Sequence, residues 1–507
     1  MYLGIDLGTS ELKALLLDDA HCVAALAGEP LTMQRPHSLW SEQDPNEWWA
    51  ALERVVARLR HENAGAWAAV RAIGLSGQMH GAIVLDADQR LLRPAMLWND
   101  GRSAAQCATL EKREPSLRTI TGNLAMPGFT APKLLWLREH EPALFRRIAR
   151  VLLPKDWIRL QLCGEAVSEM SDASGSLWLD VGARCWSDAL LAATGLSRAQ
   201  MPRLVEGNAV SGELTRALSG RWGLRPGIPI AGGAGDNAAS AIGIGAVRAG
   251  QGFVSLGTSG VVFLTCDRFL PNPAAAVHTF CHALPDRWHK MSVMLSAASA
   301  LRWARTLLGL TSEAELLERV AQLPPSARAS APICLPYLSG ERTPHNDVSA
   351  QGVLFGLTHD HDAAAVGYAV MEGVGFGLAD GWRALNVAPG EVASLTLVGG
   401  GARSAMWAQT LASTLGVALA VHDGGQVSAA LGAARLAWLA DGGTEADVCC
   451  SGEAARTFLP DATEAALLAP RLERFRTLYT AVRDQFSVES RPRIPIRRFD
   501  GEAGLKT

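Results

Sequence analysis

A six-residue pattern occurs twice in this chain, about half its length apart. Ile5-Asp6-Leu7-Gly8-Thr9-Ser10 returns as Val254-Ser255-Leu256-Gly257-Thr258-Ser259, and each copy runs through an apolar stretch to an aspartate eight residues beyond its serine, Asp18 and Asp267. Apolar run, tight turn and apolar run read as strand, turn and strand. A repeat of that kind predicts two similar α/β domains, each opening on the same hairpin, with a cleft between them. The copies differ at one telling position: the first carries a carboxylate, Asp6, where the second carries Ser255. Gly243, Gly245, Gly250 and Gly252 interrupt the pattern between them, so the expected division is 1–247 and 248–486.

Strands and helices alternate through the first half, as a layered α/β domain requires. A third strand is expected near Cys22 to Leu31, and further strands at Val70 to Leu75, Ala82 to Leu85 and Ala95 to Trp98. Asp44-Pro45-x-Glu47 supplies an N-cap, a first-turn proline and an acidic third position, followed by apolar residues at helical spacing from Trp48 to Leu59. In the second half, Ser312-x-x-Glu315 opens a helix by the capping-box pattern, and Pro324 to Ser330 reads as a surface loop. From Ser487 to Thr507 the chain loses apolar periodicity and gathers four arginines, which reads as a flexible tail.

Composition narrows the chemistry. The 507 residues, 48% hydrophobic and 19% charged, suit a compact chain with large cores and exclude wholesale disorder. A net charge of -3 with no basic block argues against nucleic acid or an anionic membrane as the partner. Nine cysteines without Cys-x-x-Cys or Cys/His ligand spacing indicate neither a disulfide framework nor a zinc site. The amino terminus has no basic start and places Asp6 in its apolar stretch, and the weakly charged run Ile228 to Val247 holds Asp236; neither a secretory signal nor a membrane span is expected, and the cytoplasm is the expected location.

The 50 glycines fall in clusters, not on a repeat, which points to tight turns or backbone close to a ligand. Each Gly-Thr-Ser turn offers N–H groups and hydroxyls to a phosphate, although one such turn alone is equally an ordinary hairpin. Gly399-Gly400-Gly401 follows an apolar strand, Leu395 to Val398, and precedes a helix capped by Ser404, an arrangement that brings backbone against a nucleotide. No Gly-Lys pair exists, so a Walker A loop is excluded, and no G-x-G-x-x-G opens a helix after a strand. Asp236, after Ala231-Gly-Gly-Ala-Gly, is either a helix N-cap or a general base reached by a ligand through the space those small residues leave. His80, in Gln78-Met79-His80-Gly81, is a polyol contact or a loop histidine, and Trp98-Asn99-Asp100-x-Arg102 is a sugar platform or a salt-bridged loop.

Together these segments resemble the FGGY carbohydrate kinases over nearly the whole chain, to about Val482. One family signature appears as Gly128-Phe-Thr-Ala-Pro-Lys133-Leu-Leu-Trp136-Leu-Arg-Glu-His140, the other as Gly352-Val-Leu-Phe-Gly-Leu357 continuing to Glu372-Gly373. Leu39 to Pro45, Gln78 to Gly81, Leu97 to Arg102, Leu153 to Asp156 and Tyr337 to His345 resemble the bacterial members that act on D-xylulose. The resemblance implies two actin-like (ribonuclease H-like) ATPase domains related by duplication, closing on sugar and Mg-ATP, and a homodimer is compatible with it. It implies Asp236 as the base that deprotonates O5 and Asp6 as the acid holding Mg2+ through water. Met79, His80, Gly81, Trp98, Asp100 and Asn237 fall on the sugar side by this resemblance; Thr9, Ser10, Lys13, Thr258, Gly400 and Gly401 fall on the ATP side. Another ketose or polyol is the alternative substrate. A nucleotide-switched scaffold would leave the sugar-loop residues unexplained.

Overall fold

The computed structural model describes residues 1–422 and 428–486, so the expected tail at 487–507 lies outside the described residues. Two mixed sheets, each of seven strands, form the frame. In the first, β1 (Tyr2–Leu7), β2 (Glu11–Leu17) and β3 (Val23–Pro30) form an antiparallel meander, while β4 (Ala72–Gly77) and β5 (Pro229–Ala231) extend it in parallel on the other side of β1. In the second, β6 (Gly252–Leu256), β7 (Gly260–Cys266) and β8 (Trp288–Met294) repeat the meander, and β9 (Ser394–Val398) and β10 (Ala418–Val421) repeat the parallel extension. Both orders therefore read third, second, first, fourth, fifth, and the sequence echo marks the first hairpin of each copy.

The central strands are apolar on both faces because both faces are covered, as in parallel sheets; five of the six residues of β1 and all of β4 are buried. The helix Ser428–Ala440, from the second half of the chain, packs on β1 and β4 and against the helix Asp236–Ile244. Glycines permit this approach. A Cβ on Gly74 would lie 1.8 Å from the Ala433 carbonyl oxygen, and one on Gly432 would lie 1.7 Å from that of Ala239. Gly74→Ala is accordingly expected to lower stability by about 1–3 kcal/mol, read as a fall in Tm, whereas Gly65→Ala, which would meet nothing within 4 Å, should leave Tm nearly unchanged.

One apolar core runs continuously from Phe129 and Trp178 in the first half to Phe253, Phe263 and Phe280 in the second. Among the described residues no helix is long and apolar enough to cross a membrane. All nine cysteines are free thiols.

The helix expected after Asp44 spans Pro45–Glu62, with the Asp44 carboxylate accepting from the Asn46 N–H. Three local readings are corrected. Pro324 to Ser330 is not a loop: Pro325 stands first in a short helix, Pro325–Ser330, where its fixed φ is already helical. Ser312 caps its helix by accepting from the Glu315 N–H, but the Glu315 carboxylate turns to the N–H and hydroxyl of Thr311. Asp236 is the first residue of its helix, and Gly235 occupies the cap position.

Candidate active site

The carboxyl ends of three neighbouring strands bring the two singled-out aspartates together. Asp6 on β1 lies opposite Lys13 on β2 and Ser76 on β4, and Ser76 pairs in turn with Ala234, two residues before Asp236. Open sheets present their ligand sites at such ends. The Oδ1 atom of Asp6 is shut off from solvent and has no hydrogen-bond partner. Burial pushes the Asp6 carboxyl up to about 6, with Ser76 and Lys13 pulling the other way. Asp236 is pushed up to about 7, first by burial and then by the charge of Asp6, against the N–H and side-chain amide of Asn237, which donate to its Oδ1 at 2.7 and 2.9 Å. Two buried carboxyls, one of them raised further by the charge of the other, leave a place for positive charge or for an acidic proton.

Beside Asp236 a cavity of about 270 Å³ opens between the two halves. Of the sugar-side candidates, Met79, His80, Trp98 and Asn237 line it, together with Asp236. His80 has φ of 68°, a left-handed turn that tips its ring inward. Its Nδ1 lies 2.8 Å from the Gly175 carbonyl oxygen and so carries the ring proton, which leaves Nε2 as an acceptor. Burial, then the Lys133 charge, lowers its pKa to about 3, keeping the ring neutral. Lys133, itself lowered to about 7 by burial, secures this loop by donating to the carbonyls of His80 and Gly128 at 2.9 and 2.6 Å. The Trp98 indole donates to Thr9 Oγ1 at 2.9 Å, which stands it at the rim.

Gly81 and Asp100 do not reach the cavity. Gly81 packs on Pro154, whose Cγ would be 2.5 Å from an added Cβ. Asp100 is buried: Oδ2 accepts from the Ser41 N–H, both oxygens receive Arg102, and Arg102 also holds Glu42. The Trp98 to Arg102 segment thus divides, with the indole at the cavity and the charges forming a salt-bridged loop behind it. The glycines before Asp236 are also filled by protein, not left open: added Cβ atoms at Gly232 and Gly233 would lie 2.2 Å from the Glu206 and Leu75 carbonyl oxygens, and one at Gly235 would lie 2.8 Å from the Met79 side chain.

The ATP-side candidates gather around the two hairpin turns. The Thr9 hydroxyl donates to Gln78 at 3.1 Å as it accepts from Trp98, and Ser10 is exposed beside it. Lys13 is 3.4 Å from Glu11. Thr258 is exposed, and its carbonyl starts the following helix by accepting from Ala297 and Ser299. Gly399 and Gly401 press against Leu256 at the end of β6, while a Cβ on Gly400 would meet nothing within 4 Å, so its backbone is open to a ligand. Gly257 and Ser259 border the cavity from this side.

Four participants carried no assigned role from sequence: Phe129, whose ring is 4.7 Å from that of His80, and His278, Met291 and Arg342 on the cavity wall. Phe129 and Arg342 lie within signature segments, which was a usable signal; His278 and Met291 lie on strands with none.

The amino-terminal domain model of the FGGY family of carbohydrate kinases matches residues 1–243, and the carboxyl-terminal domain model of that family matches residues 252–440. The chain is 52% identical over 482 residues to a xylulose kinase of Escherichia coli, covering 94% of this chain and 98% of that protein. It is 48% identical over 491 residues to a xylulose kinase of Klebsiella pneumoniae, covering 96% and 100%. A crystal structure described as a xyloylose kinase from Brucella ovis superposes with a TM-score of 0.92 at 47% identity, covering 96% of this chain and 99% of that one. The duplicated sheets, the paired carboxylates at a cavity between them and two family models spanning most of the chain agree: this protein belongs to the FGGY family of carbohydrate kinases.

Proposed function

We propose that the chain transfers the γ-phosphoryl group of ATP to O5 of D-xylulose. The observation that carries this reading is the juxtaposition of Asp236 with Asp6 at the edge of a cavity that also presents Asn237 and a neutral His80, in a chain about half identical to xylulose kinases. Asp236 accepts the O5 proton as the hydroxyl attacks. Asn237 fixes the carboxylate by donating twice to Oδ1, which directs Oδ2 to the acceptor. His80 Nε2 and the Trp98 face orient the sugar chain. The turns at Thr9 and Thr258, with the open backbone at Gly400, border the path of the triphosphate.

The residues present fit Mg2+. Asp6 offers a buried oxygen without a partner, as suits an ion held mainly by phosphate oxygens and water. When bound, Mg2+ supplies charge neutralisation to the transferring phosphates. Lobes 1–247 and 248–486 closing on the cavity would keep water from competing as acceptor. The test is ADP release measured across a panel of ketoses and polyols. Stimulation by D-xylulose above the others is expected, and a higher kcat/KM for glycerol or a hexulose would refute the assignment.

A further inference from the structure

Arg342 enters the cavity from the second half of the chain on a backbone clamped on both sides. Glu341 Oε1 accepts from the N–H groups of Leu295 and Arg342 at 3.1 and 2.7 Å. Thr343 donates its N–H to the Val293 carbonyl and accepts the Val293 N–H on Oγ1, each at 3.1 Å. With one neighbour pinned to β8 and the other to Leu295 just after it, Arg342 lines the cavity together with Met291 and Val293.

A directional relay then fixes its orientation. Asn123 Nδ2 donates to the carbonyls of Thr121 and Thr279 at 2.7 and 2.9 Å, so its Oδ1 must be the atom that faces His278. His278 Nδ1 carries its proton towards that oxygen at 3.3 Å, and the bare Nε2 accepts from Arg342 Nη1 at 3.2 Å. Burial and the Arg342 charge keep His278 neutral. Among the described residues one of the five guanidinium N–H groups is thus used in a hydrogen bond, and the acid whose charge acts on Arg342 is its chain neighbour Glu341. His278 and His80 contact the same Phe129 ring, at 5.5 and 4.7 Å between centroids, so Arg342 stands at the His80 end of the cavity.

The chemistry of the acceptor says what belongs there. A five-carbon 2-ketose can close a five-membered ring only through O5, and O5 is the hydroxyl that receives the phosphoryl group. The reacting sugar is therefore the open chain, with its C2 carbonyl free. A carbonyl oxygen only accepts, and a guanidinium only donates. We propose that Arg342 is the residue that binds the C2 carbonyl of the open-chain ketose, held for it by His278 and Asn123, while Asp236 takes the O5 proton at the other end. This rests on the reading of D-xylulose as substrate.

The experiment compares the affinities of the full chain for D-xylulose and for xylitol, the open-chain polyol in which that carbonyl is reduced, in the presence of a non-hydrolysable ATP analogue. Arg342→Gln is expected to weaken D-xylulose by about 10- to 100-fold, the range of a hydrogen bond to a charged group. Xylitol and the nucleotide analogue should change by less than about 3-fold. Arg342→Lys, which keeps the charge and guards against misfolding of the first variant, should recover part of the loss. Equal losses for both sugars, or D-xylulose affinity retained in Arg342→Gln, would overturn the role of Arg342. A wild-type protein that binds no D-xylulose would instead remove the functional reading, and this inference with it.

Discussion

Asp236→Asn is expected to lower kcat by roughly 10²- to 10⁴-fold, the usual contribution of a positioned base, while ATP affinity stays within about 3-fold. The substitution keeps the volume and the oxygen that accepts from Asn237 N and Nδ2 at 2.7 and 2.9 Å, so the start of the helix Asp236–Ile244 is retained. What is lost is the capacity to take a proton. A wild-type carboxyl raised towards neutrality by burial and by Asp6 is a stronger acceptor than an ordinary surface aspartate. An amide has none of that basicity, so the sugar hydroxyl remains protonated and a poor nucleophile. The check is kcat at saturating D-xylulose beside the Kd for ATP. More than about a tenth of the wild-type kcat in the variant would show that another group takes the proton.

Lys155→Met is expected to cost about 3–5 kcal/mol of stability, the range for breaking a buried ion cluster by removing one partner. Lys155 is 1% exposed and its ammonium lies 2.8 Å from Asp156, 3.1 Å from Asp172 and 3.3 Å from Glu169, all of them fully buried. Arg159 adds a second cation at 2.7 Å from Asp156. Two cations against three carboxylates leave one negative charge over, and burial with the neighbouring acids drives the Asp172 carboxyl upwards, towards its protonated form. Removing Lys155 would strand the remaining carboxylates in a medium that solvates them poorly. Asp172→Asn, which mimics the protonated carboxyl, should be much milder. The cluster also underlies the segment that carries Asp236: Glu169 accepts from Ser171 Oγ, and Ser171 Oγ accepts from the Gly235 N–H, one residue before Asp236. Thermal melting of the three proteins tests this, and a Tm for Lys155→Met equal to that of Asp172→Asn would contradict it.

The duplicated frame was legible because strand, turn and strand are written locally: Ile5 to Leu17 and Val254 to Cys266 each pair within a single hairpin. Asp6 and Asp236 were legible as candidates for the same reason, since Asp6 lies within an apolar strand and Asp236 directly follows one. Their proximity was not, because it depends on β1, β4 and the Ala234–Gly235 strand lying side by side. The roles of glycine were misjudged where tertiary packing decides them. Gly232, Gly233 and Gly235 touch protein backbone and Met79, not a ligand. Asp100 reads from sequence as a sugar contact or an ion pair with equal ease, and the Arg102 and Glu42 side chains settle it as the latter. The relay from Asn123 through His278 to Arg342 joins residues more than two hundred positions apart, held by β8 and its neighbours. No periodicity or spacing in one sequence encodes such a contact.

The most direct test of the central claim is where the phosphorus goes. Incubating the protein with ATP and D-xylulose and following the product by phosphorus NMR with a phosphorus–proton correlation distinguishes a phosphate on C5, whose methylene protons couple on to H4, from one on C1, whose methylene beside the carbonyl has no vicinal proton. With O5 beside Asp236 and the carbonyl end beside Arg342, the expected product is D-xylulose 5-phosphate alone. Phosphate on O1 would mean that the sugar lies in the cavity the other way round, and release of inorganic phosphate without any sugar phosphate would mean that the cavity beside Asp236 does not hold the acceptor.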